Sequence, residues 1–103
     1  MLDAARKAHR FLSGRSANEL GSDELLSLAL THLLEIVGEA AKRVSEGFRL
    51  SHPEIPWGEA ARTRDRLVHG YMSVDLEVVW EIVTKDFPPL ISRLEALVEA
   101  EES

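Results

Sequence analysis

The sequence predicts an all-α protein that folds as an up-and-down bundle of four to five helices. Apolar residues recur at helical spacing along most of the 103 residues. No segment of useful length alternates apolar and polar residues as a β-strand does. The connections between the helical segments are short, which favours antiparallel neighbours. A chain of this length is expected to form one small domain over residues 1–103.

The first two helices are separated by a short loop. Residues 1–12 form the first helix, and serine, glycine and asparagine indicate a loop over residues 13–18. The run Ser22-Asp23-Glu24 provides an N-cap signal for a long second helix, which Gly47 is expected to end. Small residues at Gly38, Ala40 and Ala41 would let another helix approach closely. The apolar positions of this helix are Leu26, Ala29/Leu30, Leu33, Ile36/Val37, Ala40 and Val44.

The next segment predicts a connector followed by a third helix. Residues 49–56 are read as the connector because they contain two prolines, which disfavour helix at the preceding positions. The third helix begins near Trp57. Gly70 is expected to end it, since glycine readily adopts the left-handed conformation found after many helices.

Two further helices complete the predicted bundle. The fourth begins near Asp75, which is a suitable N-cap residue. Asp86 and the Pro88-Pro89 pair are expected to interrupt the chain and start the last helix. Apolar residues repeat in these two helices at Leu76, Val79, Trp80, Val83, Leu90, Leu94, Leu97 and Val98.

Composition limits the classes of function. The formal net charge of −6 argues against a general nucleic-acid coat protein. Arg62, Arg64 and Arg66 nevertheless form one local basic cluster, which suits a confined anion site. Cysteine is absent, so disulfides and thiolate metal sites are excluded. No apolar run is long enough for a membrane span and no signal peptide begins the chain, so we expect a cytoplasmic protein.

Arg64 is the most unusual residue of the predicted third helix. It lies on the same helical stripe as Trp57 and Tyr71, seven residues from each. A guanidinium on a buried face is costly unless a partner compensates it. The stripe therefore indicates either a structural ion pair or an anion-binding site. Asp65 and His69 are the nearest ionisable neighbours in sequence.

Arg64 and His69 cannot meet on one regular helix. Five residues separate them, which corresponds to an angle of about 140° around the axis. Either the backbone leaves the helix at Gly70, or two subunits each supply part of one site. The second arrangement requires a symmetric homodimer, which is the commonest type of oligomer.

The same segment resembles a known family. Arg64, His69 and Tyr71 form the pattern R-x4-H-x-Y, which resembles the signature of HEPN proteins of the HepT toxin family. One position departs from the family, because Asp65 stands where asparagine is common. The segments EIVGEAAKRVSE, HPEIPW, RDRLVHGY, VDLEVVWEIV and DFPPL resemble successive blocks of that family, in the same order.

The resemblance implies a HEPN-like fold and the toxin of a toxin–antitoxin system, acting as a metal-independent endoribonuclease without a cofactor. His69 is implied to take the proton of a ribose 2′-OH or to protonate the leaving oxygen. Arg64 is implied to hold the scissile phosphate. Asp65 would orient a neighbouring group and Tyr71 would line the site. HEPN relatives are implied to pair their motifs across a homodimer interface.

The resemblance also implies regulation at Tyr71. HepT-like toxins are paired with a minimal nucleotidyltransferase antitoxin, which is implied to add AMP to this tyrosine. A nucleotide attached beside Arg64 and His69 would block the site and fill it with an anion. In the absence of such regulation, Tyr71 is expected to pack as an ordinary amphipathic core residue.

Glu39 has two interpretations. With His32 and Glu35 it shares one side of the long helix, which could suggest a metal site. A di-iron carboxylate bundle would require a Glu-x-x-His motif on each of two helices, and the chain has none in that orientation. We therefore expect no metal, and we expect Glu39 to be a partly buried partner of an arginine, with Arg64 as the candidate.

A second class of function stays open at this point. The chain could be a non-catalytic HEPN module that dimerises and binds a partner protein. Its acidic composition and Asp65 favour this alternative, because both oppose the binding of phosphates.

Overall fold

Helices form nearly all of the regular structure in the computed structural model, which describes residues 1–69 and 73–102. The predicted all-α class is confirmed. None of the described helices is both long and apolar enough to span a membrane. The helices are α1 (Leu2–Leu12), α2 (Ala17–Ser22), α3 (Glu24–Arg43), α4 (Glu46–Ser51), α5 (Trp57–Ala61), α6 (Thr63–Leu67), α7 (Leu76–Glu81) and α8 (Phe87–Glu102), with a π-helical turn (Ile82–Asp86) between α7 and α8. Two short antiparallel strands, β1 (Val68–His69) and β2 (Ser73–Val74), accompany them.

The long helix α3 is the centre of the fold and packs against α1, α2, α5, α6 and α7. Asp23, the middle residue of the predicted cap signal Ser22-Asp23-Glu24, caps its first turn, since its carboxylate accepts a hydrogen bond from the backbone N–H of Leu26 at 3.1 Å. Lys42 and Arg43 lie in the last turn, where positive charge complements the helix dipole. The helix ends at Arg43, before the predicted stop at Gly47.

One apolar core joins α1, α3 and the segment from α7 to α8. Removing a large aliphatic or aromatic side chain from water stabilises the fold by about 1.5–3 kcal/mol per residue. The core is therefore the main source of stability in this small protein. The largest fully buried side chains are Leu20, Leu30, Leu34, Val37, Ile55, Leu67, Val79, Ile82, Val83 and Phe87.

Gly38 allows the short helices α5 and α6 to lie directly against α3. A Cβ atom placed on Gly38 would be 3.5 Å from the backbone nitrogen of Arg64. It would be 3.7 Å from the carbonyl oxygens of Ala60 and Ala61. These are ordinary van der Waals distances, so a methyl group fits and anything larger meets backbone atoms. The start of α6 is thereby held against the middle of α3.

Two segments predicted as loop or connector are helical in part. Ser16 caps α2, because its hydroxyl accepts a hydrogen bond from the backbone N–H of Glu19 at 3.2 Å. Ser45 caps α4 by accepting from the backbone N–H of Phe48, also at 3.2 Å. The prediction was wrong here because each serine satisfies an N–H group of a one-turn helix that composition alone does not reveal.

The predicted third helix is interrupted and ends early. At Arg62 the backbone takes φ −86° and ψ 0°, which separates α5 from α6. Helix α6 ends at Leu67, so the prediction of a helix up to Gly70 was wrong. The β-branched residue Val68 begins β1 instead, and the backbone N–H of Asp75 donates to the carbonyl of Leu67 at 2.8 Å. Strand pairing has replaced the last helical turn.

The Pro88-Pro89 pair does not interrupt the chain as predicted. Helix α7, the π turn and α8 follow one another directly. The two prolines lack the N–H groups that would bond the carbonyls of residues 84 and 85 in an α-helix. The wider π turn before them accommodates this loss. The hydroxyl of Thr84 donates to the carbonyl of Trp80 at 2.7 Å within the same region.

Substitution of Gly38 tests the close approach of α5 and α6 to α3. Gly38→Ala is expected to leave the free energy of unfolding within about 1 kcal/mol of the wild-type value, because a methyl group fits and alanine favours helix. Gly38→Leu is expected to lower it by about 1–3 kcal/mol through overpacking. Gly21→Leu is the matched control, since nothing lies within 4 Å of a Cβ there. Urea unfolding measures all three, and equal stability of the two leucine variants would contradict the close contact.

Candidate active site

The short helix α6 carries the basic cluster and separates its members. Thr63 and Leu67 are buried in the core. Successive helical residues are rotated by about 100°, so Arg64 and Arg66 flank this buried face on opposite sides. Asp65 lies between them on the exposed side. One short helix therefore presents two guanidinium groups to two different surroundings.

The prediction that Arg64 lies on the buried face of the helix was wrong. Its side chain is 57% exposed. The buried face of α5 and α6 is formed by Ala60, Thr63 and Leu67, a stripe that excludes Arg64. Burial of a threonine hydroxyl costs far less than burial of a guanidinium, which explains why the helices settle in this orientation.

Glu39 is the partner of Arg64 in the described part of the chain. Their charged atoms, Arg64 Nη1 and Glu39 Oε1, are 3.9 Å apart, too far for a hydrogen bond. The Glu39 side chain is 49% exposed, so the expectation of a partly buried partner was wrong. A long, exposed ion pair contributes little to stability and leaves the donors of Arg64 available for an anion.

His69 follows α6 on the strand β1, so it is no longer part of the helix. Its Cα is paired with that of Ser73 on β2. The angle of about 140° on a regular helix therefore no longer applies to Arg64 and His69. The backbone leaves the helix after Leu67, earlier than the predicted end at Gly70. Gly70 and Tyr71 lie outside the described residues, so the proposed roles and modification of Tyr71 stay predictions.

Asp65 stays without an assigned partner. It is exposed, and no hydrogen bond or ion pair connects it to another residue within the described ranges. Its expected role in orienting a neighbouring group therefore stays a prediction. Its carboxylate is an immediate sequence neighbour of Arg64, which lowers the local positive potential.

Arg66 forms the strongest ion pair near the site, and sequence analysis did not find it. Its Nη1 donates to Asp86 Oδ2 at 2.7 Å and lies 3.8 Å from Glu59 Oε1. The side chains of Arg66 and Asp86 are 35% and 32% exposed. This pair connects α6 to the π turn. The one available signal was that both residues belong to the segments that resemble the family.

Three apolar side chains are exposed on the face of α3 that also carries Glu39. Leu25 and Leu28 are 82% and 61% exposed, and Ile36 is also exposed. Ile36 lies one turn before Glu39, which faces Arg64, whereas Leu25 and Leu28 lie near the start of the helix, with His32 between Leu28 and Ile36. His32, Glu35, Ile36, Glu39, Ala40 and Arg43 line a shallow depression on the same face. We call Leu25, Leu28 and Ile36 the α3 row.

The described residues contain no group of three or more His, Asp or Glu side chains arranged to hold a metal ion. His32, Glu35 and Glu39 lie on one face of α3 without forming such a group. Arg64 is the charged partner that the structure gives to Glu39. The expectation that no metal takes part in the reaction stays a prediction.

Known proteins match the chain along most of its length. A family model described as Ribonuclease HepT-like matches residues 1–97. A protein of Thermococcus cleftensis, named Probable ribonuclease HepT, is 45% identical over 75 residues, which cover 73% of this chain and 68% of that protein. A candidate RNase of Caldanaerobacter subterraneus is 34% identical over 91 residues, covering 88% of this chain and 81% of that protein. No solved structure gives a significant match.

Stability measurements can separate the roles of the two arginines. Arg64→Ala is expected to change the free energy of unfolding by less than about 0.5 kcal/mol, because its ion pair is long and exposed. Arg66→Ala is expected to lower it by about 1 kcal/mol, since a charge-assisted hydrogen bond is lost at a partly exposed site. Urea unfolding at neutral pH measures both. Equal losses would mean that Arg64 is a structural residue.

Proposed function

Since the chain belongs to the HepT-like ribonuclease family, we propose that it is a metal-independent endoribonuclease. The resemblance found in the sequence is confirmed by the match over residues 1–97. The observation that carries the proposed reaction is the exposed guanidinium of Arg64, held on α6 just before the backbone turns into the strand of His69. A guanidinium with free donors at such a position suits an RNA phosphate.

The reaction needs two protein groups. His69 removes the proton from the ribose 2′-OH, and the 2′ oxygen attacks the adjacent phosphorus. The bond from phosphorus to the 5′ oxygen breaks, that oxygen takes a proton from water, and the protonated His69 returns its proton to the solvent, which leaves a 2′,3′-cyclic phosphate and a 5′-OH. Arg64 holds the phosphate and stabilises the negative charge that develops on it. Because RNA supplies its own nucleophile, this chemistry requires neither a metal ion nor a covalent enzyme intermediate.

A symmetric homodimer would complete the site. The α3 row is exposed on the face of α3 that also carries Glu39, the partner of Arg64, and burial of such an apolar surface favours association. Two copies packed along this row would bring two sets of Arg64 and His69 to one interface. The depression beside Ile36 would then be covered by the partner.

The proposed biological role is that of a toxin whose antitoxin is a minimal nucleotidyltransferase. The antitoxin would transfer AMP to the hydroxyl of Tyr71, two residues after His69. The added phosphate would occupy the position of the substrate phosphate near Arg64. Family membership is the support for this role.

One observation favours a second candidate, a non-catalytic HEPN module that binds a partner protein. The exposed carboxylate of Asp65 lies beside Arg64 and repels phosphate. The substitution Asp65→Asn distinguishes the ribonuclease from the binding module. In a ribonuclease it should increase RNA cleavage several-fold, since one negative charge that repels phosphate is lost. No cleavage by either form would favour the binding module.

Cleavage assays test the proposed catalytic residues. His69→Ala should reduce RNA cleavage by about 100-fold or more, since it removes the proton-transfer group. Arg64→Ala should cause a similar loss, and Arg64→Lys should restore little, because lysine lacks the planar fork of donors. Activity should persist in EDTA. Circular dichroism should show unchanged helicity, and Arg10→Ala on α1 is a control outside the site. Wild-type activity in His69→Ala would rule out this mechanism.

Light scattering tests the dimer. The wild-type protein should form a two-chain particle at micromolar concentration, and Leu28→Glu should shift it to single chains by placing a charge in the α3 row. Leu50→Glu is the matched control, because Leu50 is also strongly exposed but lies on α4. A single-chain wild-type particle would remove the composite site.

Mass spectrometry tests the regulation. Incubation with the cognate nucleotidyltransferase and ATP should raise the mass of the chain by one or more AMP units, mapped to Tyr71. Tyr71→Phe should stay unmodified and stay toxic in the presence of the antitoxin. Modification of Ser73 instead, or no modification by an active partner, would contradict this mechanism and leave the ribonuclease assignment intact.

A further inference from the structure

A small cavity lies behind α6, on the side of Arg66 and away from Arg64. Its volume is about 150 Å³, it is open to solvent on one side, and it is lined by α5, α6, the π turn and the start of α8. Its floor is buried and mostly apolar, and a π turn of this kind often marks a functional site. The floor consists of Ala60, Thr63, Ile82, Phe87 and Leu90, of which Thr63 is the polar member.

The rim of this cavity is charged, and its charges are unequally satisfied. Asp86 is occupied by Arg66 at 2.7 Å. Glu59 is held only loosely, 3.8 Å from Arg66, and is largely exposed. Lys85 and Arg93 are exposed on the rim and form no ion pair or hydrogen bond within the described ranges. The cavity therefore offers one available carboxylate and two available cations, in a chain whose net charge is −6.

The size of the cavity limits its ligand. Sites for drug-sized molecules usually have volumes of about 300–1,000 Å³. A cavity of about 150 Å³ suits one planar ring system and leaves any attached chain outside, at the charged rim. An apolar floor with cations at the mouth matches a nucleobase whose neighbouring phosphates stay in solvent.

We propose that this cavity binds one unstacked base of single-stranded RNA, with Lys85 and Arg93 contacting the adjacent phosphates. RNA is named as the ligand because of the proposed ribonuclease function, on which this inference rests. Arg64 and the cavity lie on opposite sides of α6, whose diameter with side chains is about 10–12 Å. An RNA strand that occupies both must therefore cross the exposed side of this helix, past Asp65, with more than one nucleotide between the phosphate at Arg64 and the base in the cavity.

Glu59 determines which base fits best. Single-stranded bases are read through the donors and acceptors of their Watson–Crick edge. A carboxylate accepts hydrogen bonds and donates none, so it selects a base with N–H donors. Guanine presents two adjacent N–H donors, at N1 and N2, to one carboxylate. The site should therefore prefer guanine.

Binding of a non-cleavable RNA tests this site independently of catalysis. The probe is a fluorescent 2′-O-methyl hexamer of uridine that carries one central guanosine, and the reference has an abasic unit at the same position. Both have the same charge, so phosphate contacts cancel. The guanosine probe should bind the wild-type protein at least fivefold more tightly than the abasic probe, because a base bound in the cavity contributes strongly to affinity. Equal affinities would overturn the assignment.

Variants of the rim locate the binding. Glu59→Gln should reduce the preference for the guanosine probe over the same hexamer with adenosine at the central position. It should change the affinity for the abasic probe little.

Lys85→Glu should weaken the binding of the guanosine and the abasic probe several-fold. Lys7→Glu makes the same charge change on α1, outside the cavity, and should have a smaller effect. Equal effects of the two lysine changes would show general electrostatics and overturn the role of the rim.

Competition by guanosine monophosphate shows whether the ligand of the cavity is an RNA strand or a free nucleotide. It should compete with the hexamer only at far higher concentration, since it lacks the flanking phosphates. Competition at equal concentration would assign the cavity to a free nucleotide and overturn the RNA proposal. Because the hexamer cannot be cleaved, base-dependent binding with no cleavage of ordinary RNA would support the cavity and reject the ribonuclease function.

Discussion

The close contact between α3 and the start of α6 is the constraint on which the site depends. Gly38 leaves room for this contact, since a Cβ atom placed there would already lie 3.5 Å from the backbone nitrogen of Arg64, and a side chain larger than a methyl group would not fit. This contact sets the height of α6 on α3 and places Arg64 opposite Glu39. The backbone of α6 is thus held by packing, while the guanidinium of Arg64 stays exposed and is held only by a long ion pair. A larger residue at this position would disturb the site without touching any charged group.

The two arginines of α6 form ion pairs of very different strength. Arg66 is half-buried and donates a short hydrogen bond to Asp86 in the π turn, so it holds α6 against that turn. Arg64 is exposed and held by Glu39 only at long range. An exposed guanidinium in a long ion pair can exchange partners at low cost, whereas one in a short hydrogen bond at a half-buried position cannot. The same residue type is therefore held differently on the two sides of α6 because its surroundings differ.

The sequence predicted the large features correctly and failed where short-range or distant contacts decide. Helical periodicity gave the all-α class, and the Asp23 cap followed from a local signal. The pairing of Glu39 with Arg64 was expected, although its exposure was not. The end of α6 was missed because pairing with β2 competes with the last helical turn, and that partner is not visible in a helical pattern. The ion pair of Arg66 with Asp86 joins residues twenty positions apart, which periodicity cannot detect.

The strand pair after α6 has a consequence for how the two neighbouring helices are joined. The chain leaves β1 and returns on β2 at paired positions, with Val68 opposite Val74. The carbonyl of Leu67, the last residue of α6, also accepts the backbone N–H of Asp75, the N-cap residue of α7, at 2.8 Å. The end of one helix is thus bonded directly to the start of the next. The ladder therefore acts as a backbone splice between α6 and α7, and it keeps their spacing without any help from side chains.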